Sequence, residues 1–314
     1  MSRAISVGAV HAAPFLLDRA ATIARACEWI AEAGRQGVNL LVFPEVFAPG
    51  FPYWINLYPP AEQHAIQVRY IEASVDVQAG DLDAVCRAAA AAQVIVVLGV
   101  SERLGSTIYN SQAFIGADGV LLGIHRKIQL TYAERFLWGQ GDGATLGGLD
   151  TSIGRIGGLI CYEHMMNLAR QALIDDGVQI HCASWPTFAS TRGRGEAYDR
   201  LVDTLMRAHA ITGQCFVVMA QPPVTVEMIG SFESLLGPQQ SLSPGGGMSA
   251  IYSPQGEVIA EHRGPSERLV VADIDLSAVL RAKVLVDGAG HYARPEILSL
   301  RRDRTAWRVP YSEK

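Results

Sequence analysis

Three short apolar runs, Leu40–Phe43, Val94–Val100 and Cys215–Ala220, do most to limit how this chain can fold. Leu40–Phe43 reads as a strand buried on both faces, and the other two read as further apolar strands. Ile5–Ala12 is a first strand. Asp18 then suits the N-cap of a helix carrying Ile23, Ala26, Cys27, Ile30 and Ala33, closed by Gly37. Leu82–Ala92 and the amphipathic stretch Gly195–Thr212 are helical in pattern. Two hairpins interrupt this alternation: Tyr109–Ile115 with Val120–Ile124 around Ala117-Asp-Gly119, and Ile251–Ser253 with Val258–Glu261 around Pro254-Gln-Gly256. A purely parallel, doubly wound sheet has no place for those hairpins. Two mixed sheets packed face to face, with helices outside, bury all the strands economically.

The 314 residues show no proline- or glycine-rich linker between two composition regimes and no internal repeat, so residues 1–314 read as one domain. Pro244-Gly-Gly-Gly-Met248 lacks a lysine, does not match a phosphate loop, and reads as a surface or subunit-contact loop. Hydrophobic residues at 49% and charged residues at 18% exclude wholesale disorder. A net charge of −5 argues against nucleic-acid binding. Arg301, Arg302, Arg304 and Arg308 make the tail locally basic, which suits a solvated or subunit-facing segment. No run is long enough to span a membrane, and the first ten residues carry too short an apolar stretch for a signal peptide. The five cysteines, an odd number without a CxxC pair, fit a reducing compartment. The expectation is a cytoplasmic protein.

Cys161 is the candidate nucleophile. It ends the run Ile156-Gly-Gly-Leu-Ile-Cys161-Tyr-Glu-His164, after which Met165, Leu168, Ala169, Ala172 and Leu173 recur at helical spacing. A thiol on such a turn stands beside the N–H groups that open the helix, which favour a thiolate and an anion formed on substrate. On local pattern alone, a buried structural cysteine competes with this assignment. His164 invites a Cys–His dyad but has no orienting partner in sequence. His181-Cys182 lacks metal-type spacing, and His209 falls within a helix.

Five segments, in order along the chain, resemble the nitrilase superfamily and within it the true nitrilases. They are Phe43-Pro-Glu45; Arg126-Lys127 with Tyr132-Ala-Glu134-Arg and Gly141-Asp-Gly; Cys161-Tyr-Glu163; Ala183-Ser-Trp-Pro186; and Gly290-His-Tyr-Ala-Arg-Pro295. The resemblance implies a four-layer α-β-β-α sandwich of two mixed β-sheets flanked by helices. It implies Glu45 as general base, Cys161 as nucleophile, Lys127 as the cation that meets the intermediate's charge while lowering the thiol pKa, and Glu134 as a second carboxylate sharing that lysine. The Tyr162 backbone N–H is the further donor, although true nitrilases usually carry tryptophan there. Glu163 keeps the nitrilase pattern where amidase and carbamoylase relatives more often have aspartate.

The reaction so implied is hydrolysis of a nitrile to acid and ammonia through a thioimidate and a thioester, with no metal or organic cofactor. Tyr53 and Trp185, aromatic residues on strand-end loops, are the candidate pocket residues beside Tyr162, and they suit an apolar or aromatic nitrile of modest size. Core packing is as good a reading for Trp54 and Phe188. The competing functions are an amidase or carbamoylase using the same residues, and a catalytically silent assembly protein. The resemblance also implies a homo-oligomer, dimers building into larger spirals, with an oligomerisation tail from about residue 285.

Overall fold

The computed structural model describes residues 4–188, 190–193 and 195–306, apart from the side chain of residue 196. The first half of the chain runs β1 (Ile5–His11), α1 (Arg19–Arg35), β2 (Leu40–Val42), α2 (His64–Ala73), α3 (Asp83–Ala92) and β3 (Ile95–Leu104). It then forms the meander β4 (Thr107–Ile115) and β5 (Leu121–Arg126). After β6 (Leu149–Thr151), the second half runs β7 (Gly154–Ile160), α4 (Asn167–Asp175), β8 (Ile180–Ser184), α5 (Gly195–Gly213) and β9 (Phe216–Ala220). It continues with α6 (Val226–Leu236), β10 (Met248–Tyr252), β11 (Val258–Arg263), β12 (Arg268–Ile274) and α7 (Ser277–Leu285).

The strands form two six-stranded sheets, ordered β12-β1-β2-β3-β4-β5 and β11-β10-β9-β8-β7-β6. In each, three central strands are parallel and the outer pairings are antiparallel. Both halves thus wind a parallel βαβαβ core followed by two meander strands, and each sheet gains one edge strand, β12 or β6. No sequence repeat announces this duplication, because the topology needs only the apolar periodicity to recur.

Strand periodicity decides the layers. Val7 and Ala9 of β1, Val42 of β2 and Val97 of β3 face Ile180, Cys182, Val218 and Ile251 of the other sheet. The alternate side chains Val10, Leu41 and Val96 face outward onto Ile23, Ala26 and Ile30 of α1 and Val85 of α3. On the far side, Val202, Met206 and Ala210 of α5 cover Val217, Met219 and Ala250. The result is the four-layer α-β-β-α sandwich that the resemblance implied. Asp18 caps α1 as expected, its carboxylate accepting from Ala21 N–H.

Two local expectations need correction. In the glycine loop Pro244 is exposed and Gly245 and Gly246 are half-buried, but Gly247 is buried, with φ +95° and an added Cβ only 2.7 Å from His11, so only the end of the loop packs into its own chain. Met165 and Leu168 do not belong to the buried face of α4: they are exposed, and Ala169, Ala172 and Leu173 make the packing.

After α7 the described tail carries no helix or strand. Arg302 docks it on the C-terminal end of α4, donating to the Ala172 carbonyl at 3.2 Å and to Asp176 at 3.1 Å, where a cation suits the helix dipole. Arg308 lies outside the described residues. All five cysteines are free thiols. Among the described residues no helix is long and apolar enough to cross a membrane.

Candidate active site

Three strand ends and one 3-10 turn converge. Glu45 follows β2 through Phe43-Pro44, and that backbone lies against Gly99 of β3, where a Cβ would come within 2.1 Å of the Pro44 oxygen. Lys127 follows β5, its N–H donating to the Asn110 carbonyl at 2.8 Å. Glu134 belongs to a short 3-10 turn, Tyr132–Phe136, begun by Thr131, whose N–H donates back to the Glu134 carboxylate at 2.9 Å. Cys161 ends β7 with φ +52°, the left-handed conformation of a sharp elbow. All four residues are buried.

Lys127 Nζ donates to Glu45 Oε1 at 2.8 Å and to both Glu134 oxygens, at 2.8 and 3.1 Å. One oxygen each of Glu45 and Glu134 and the Cys161 sulfur lie within 4.8 Å of one another. That spacing would suit a cation, and the lysine ammonium supplies one. Asn110 Nδ2 donates to Glu45 Oε1 at 2.6 Å. Glu45 Oε1 is therefore doubly engaged, whereas Oε2 is buried without a partner among the described residues.

Burial and the neighbouring Glu134 charge push the Glu45 carboxyl up to about 7, against the opposing pull of Lys127 and Asn110. Burial alone would discharge Lys127, but Glu134 and Glu45 outweigh it and hold the ammonium well above its ordinary value. The Cys161 thiol is pushed well above its ordinary value, first by burial and then by Glu45, and Lys127 offsets only part of this. The resting cysteine is thus a neutral thiol: Lys127 pulls in the expected direction without prevailing, and a base is needed to take the proton. The helix-dipole argument weakens as well, because Cys161 opens a 3-10 turn, Cys161–Met165, that separates it from α4. The donor that remains is the Tyr162 backbone N–H, which bonds the sulfur.

Glu163 ties this turn to the lysine. Its Oε2 accepts from Ile160 N–H at 2.7 Å and its Oε1 from Ile128 N–H at 2.8 Å, so one buried carboxylate grips the residue before Cys161 and the residue after Lys127. His125 Nε2 lies 3.0 Å from Oε2 and completes the tether. His164 does not engage the thiol. Its Nδ1 bonds the Cys161 carbonyl at 2.7 Å, and its Nε2 lies 2.8 Å from His181 Nε2. A carbonyl only accepts, so His164 carries its proton on Nδ1 and His181 donates from Nε2. Burial lowers His164 to about 4 and His181 and His209 well below their ordinary value, so the cluster is neutral.

Tyr53 is buried beside the acid–thiol cluster; its hydroxyl accepts from Thr187 N–H at 3.2 Å, and its ring meets Phe188 edge to face. Trp185 is buried in the apolar cluster that includes Cys161, stacked on His164 and in edge contact with Tyr162. Trp54 packs on Tyr70 and Phe232 in the core. Phe188, by contrast, lines a cavity of about 220 Å³ together with Tyr53, Leu57, Tyr132 and Arg192. Its walls belong to the segments that carry the site: Tyr132 opens the Glu134 turn, Phe188 follows β8, and Tyr53 reaches the cluster. A larger groove of about 300 Å³, between Phe114 and Leu149, contains none of the four site residues. The cavity at Tyr53 contains none of the four either; Tyr53 is the lining residue it shares with the surroundings of Glu45 and Cys161.

Sequence reading missed Asn110, the Glu163–His125 tether and the His164–His181 chain. The available signal was the polar run Asn110-Ser-Gln112 in an otherwise apolar strand, all of it fully buried. Gln112 donates across the sheets to Ser184, and Ser184 to the Phe43 carbonyl, which fixes the β2 end just before Glu45.

The pattern of the carbon-nitrogen hydrolase family matches residues 6–283. A nitrilase of Paraburkholderia phymatum is 39% identical over 98% of this chain and 89% of its own length. An aliphatic nitrilase of Rhodococcus rhodochrous is 37% identical over 94% of this chain and 81% of its own. The crystal structure of a carbon-nitrogen hydrolase from Helicobacter pylori G27 shares the fold, with a TM-score of 0.71 at 20% identity over 90% of this chain and 92% of that one. The matched region spans the strands of both sheets, the three converging strand ends and the Glu134 turn, and on that ground the chain belongs to the carbon-nitrogen hydrolase family.

Proposed function

We propose that this protein is a nitrilase that converts a nitrile to its carboxylic acid and ammonia. The observation that carries the reading is the free, buried Glu45 Oε2, on a carboxyl held near 7, beside a neutral thiol and a permanently charged lysine. A thiol that will not ionise by itself needs a base at the moment of attack. Glu45 takes the proton as the Cys161 sulfur adds to the nitrile carbon. The developing charge on nitrogen is met by Lys127 and the Tyr162 N–H, and the nitrogen is then protonated to a thioimidate. Water, deprotonated by Glu45, adds to that carbon; ammonia leaves and a thioester remains. A second water releases the acid and regenerates the thiol. Glu134 holds Lys127 throughout, and Tyr53, Tyr162 and Trp185 shape the pocket. The names of the relatives at 37–39% identity support the nitrile as substrate.

Rapid quench with intact mass analysis tests this reading: a substrate adduct belongs on the Cys161 peptide, and Cys161→Ala abolishes turnover. Ammonia release from nitriles must exceed that from the matching amides in kcat/KM. Amide turnover equal to or faster than nitrile turnover assigns the same four residues to an amidase.

The reading includes a cytoplasmic homo-oligomer, with dimers building into larger spirals. Its support is the exposed apolar set Leu280, Val284 and Leu285 on α7 with Tyr292, Ile297 and Leu298 in the tail, a surface that favours cover by another copy. Ending the chain near Pro295 reduces particle size in light scattering if the tail takes part in assembly; an unchanged size removes it.

A further inference from the structure

Three buried histidines, His164 of the 3-10 turn, His181 of β8 and His209 of α5, meet beside the nucleophile, and the reaction as written uses none of them. Their bonding has a direction. His209 lies against His181 with ring centroids 4.0 Å apart, His181 Nε2 donates to His164 Nε2 at 2.8 Å, and His164 Nδ1 donates to the Cys161 carbonyl at 2.7 Å. The Nδ1 atoms of His181 and His209 are buried without partners among the described residues. Hydrogen bonding is therefore complete at the Cys161 end of this chain and incomplete at the other. The His164 ring is also clamped, stacked on Trp185 with centroids 5.2 Å apart and met edge-on by His181 at 5.1 Å. A donor held this firmly fixes what it bonds.

What it bonds is one end of a peptide unit whose other end works in the reaction. The Cys161 carbonyl and the Tyr162 N–H share one peptide plane and point in opposite directions from it. Resting on the nitrilase reading, we infer that His164 is a positioning residue: through the Cys161 carbonyl it aims the Tyr162 N–H at the anion formed on substrate. Two effects follow from the bond. Fixing the oxygen keeps the plane from turning, at an elbow where Cys161 is already left-handed with φ +52°. Donating to the oxygen also polarises the amide, so the N–H on the far side becomes a stronger donor. At rest that N–H bonds the Cys161 sulfur, so the plane already faces the reacting atoms. The device requires a proton on His164 Nδ1 and a lone pair on Nε2, and the His181 donor selects that tautomer.

The test removes the donor with His164→Leu and returns one with His164→Asn, whose amide NH₂ stands near the place of Nδ1. In ammonia release from nitriles, His164→Leu lowers kcat about thirtyfold and leaves KM within about threefold, short of the roughly 10²–10³ for outright loss of an anion-hole donor. His164→Asn recovers most of that kcat. Iodoacetamide separates aim from placement of the sulfur. Its alkylation forms a C–S bond as iodide leaves and builds no anion on the reagent. The rate at the Cys161 peptide, followed by mass, therefore stays within about threefold of wild type in His164→Leu. Should His164→Leu not fold, His181→Phe keeps a ring and removes the donor to His164; it lowers kcat about fivefold with the same alkylation signature. The inference is overturned by kcat within about twofold of wild type in the folded variant, by alkylation that falls in step with kcat, or by His164→Asn no better than His164→Leu. Each of these leaves the nitrilase reading standing. Folded wild-type protein that hydrolyses amides and not nitriles overturns that reading instead, and the same comparison is then made on amides, whose tetrahedral anion needs the same N–H. Turnover of neither overturns both.

Discussion

Glu163→Gln keeps the size of the side chain and exchanges one acceptor oxygen for an NH₂ donor. In the native site the two oxygens serve different backbone groups, Oε1 the Ile128 N–H at 2.8 Å and Oε2 the Ile160 N–H at 2.7 Å. An amide has one acceptor oxygen, so one of these buried N–H groups must face another donor. An unmet buried donor costs about 1–3 kcal/mol, and loss of the charge opposite His125 adds about 1.5–3 kcal/mol. The sum, about 2.5–6 kcal/mol, corresponds to a fall in Tm of roughly 4–9 °C for a chain of this size. The effect also carries a pH signature. Burial pushes Glu163 up, but His125 and the two N–H groups outweigh it, so its folded-state pKa is depressed. That contribution is present above the unfolded carboxyl value of about 4.3 and is lost as pH falls through the folded one. Burial pushes His125 down, but Glu163 and the Thr145 carbonyl outweigh it, so its folded-state pKa is raised. Its contribution is full below about 6.5 and is lost as pH rises through the raised value. Urea unfolding followed by circular dichroism across pH therefore shows the largest difference between wild type and Glu163→Gln at about pH 5–6.5, narrowing on both sides. With Ile160 and Ile128 released, kcat falls about a hundredfold through misplacement of Cys161 and Lys127. A destabilisation under about 1 kcal/mol, or one that does not vary with pH, refutes the tether.

Three further outcomes follow from the site. The kcat/KM profile has an acid limb near 7, because Glu45 must be unprotonated to accept the thiol proton; a limb below about 5 contradicts its role as base. Lys127→Met leaves two buried carboxylates without their ammonium and destabilises by about 3–5 kcal/mol in urea unfolding. The double variant with Glu134→Gln recovers part of that stability and none of the turnover. Gly99→Ala drives a Cβ to 2.1 Å from the Pro44 oxygen and 2.6 Å from Val46 N, costing about 1–3 kcal/mol and lowering kcat through Glu45. A variant that unfolds like wild type and turns over normally shows that this close approach does not set the position of Glu45.

Much of the architecture was legible because strands and helix caps are local events. The apolar run Leu40–Phe43 declares burial on both faces wherever it is placed, and Asp18 caps α1 through a bond three residues long. The convergence of strand ends was not local. Lys127 and Glu45 meet across 82 positions, and nothing in either segment specifies the other. Their assignment from sequence came from a resemblance, in which the long-range arrangement is already implicit. Where resemblance was silent, sequence reading missed residues: the polar run Asn110-Ser-Gln112 marks β4 as unusual, but nothing local pairs Asn110 with Glu45. Phe188 reads equally as core or pocket in sequence, because the distinction depends on which side of the ring finds open space.

By itself, then, the sequence determined the kind of layers this chain builds and which segments end at a chemically equipped strand terminus. Those properties depend on periodicity and on residues close along the chain. Only the tertiary structure decided the protonation states. Cys161 is a neutral thiol, Glu45 a carboxyl held near 7 and His181 a neutral donor because each is enclosed by groups from distant segments. A pKa is set by the dielectric and the charges around the group within a few ångströms, and that neighbourhood exists only once the two sheets have closed on each other.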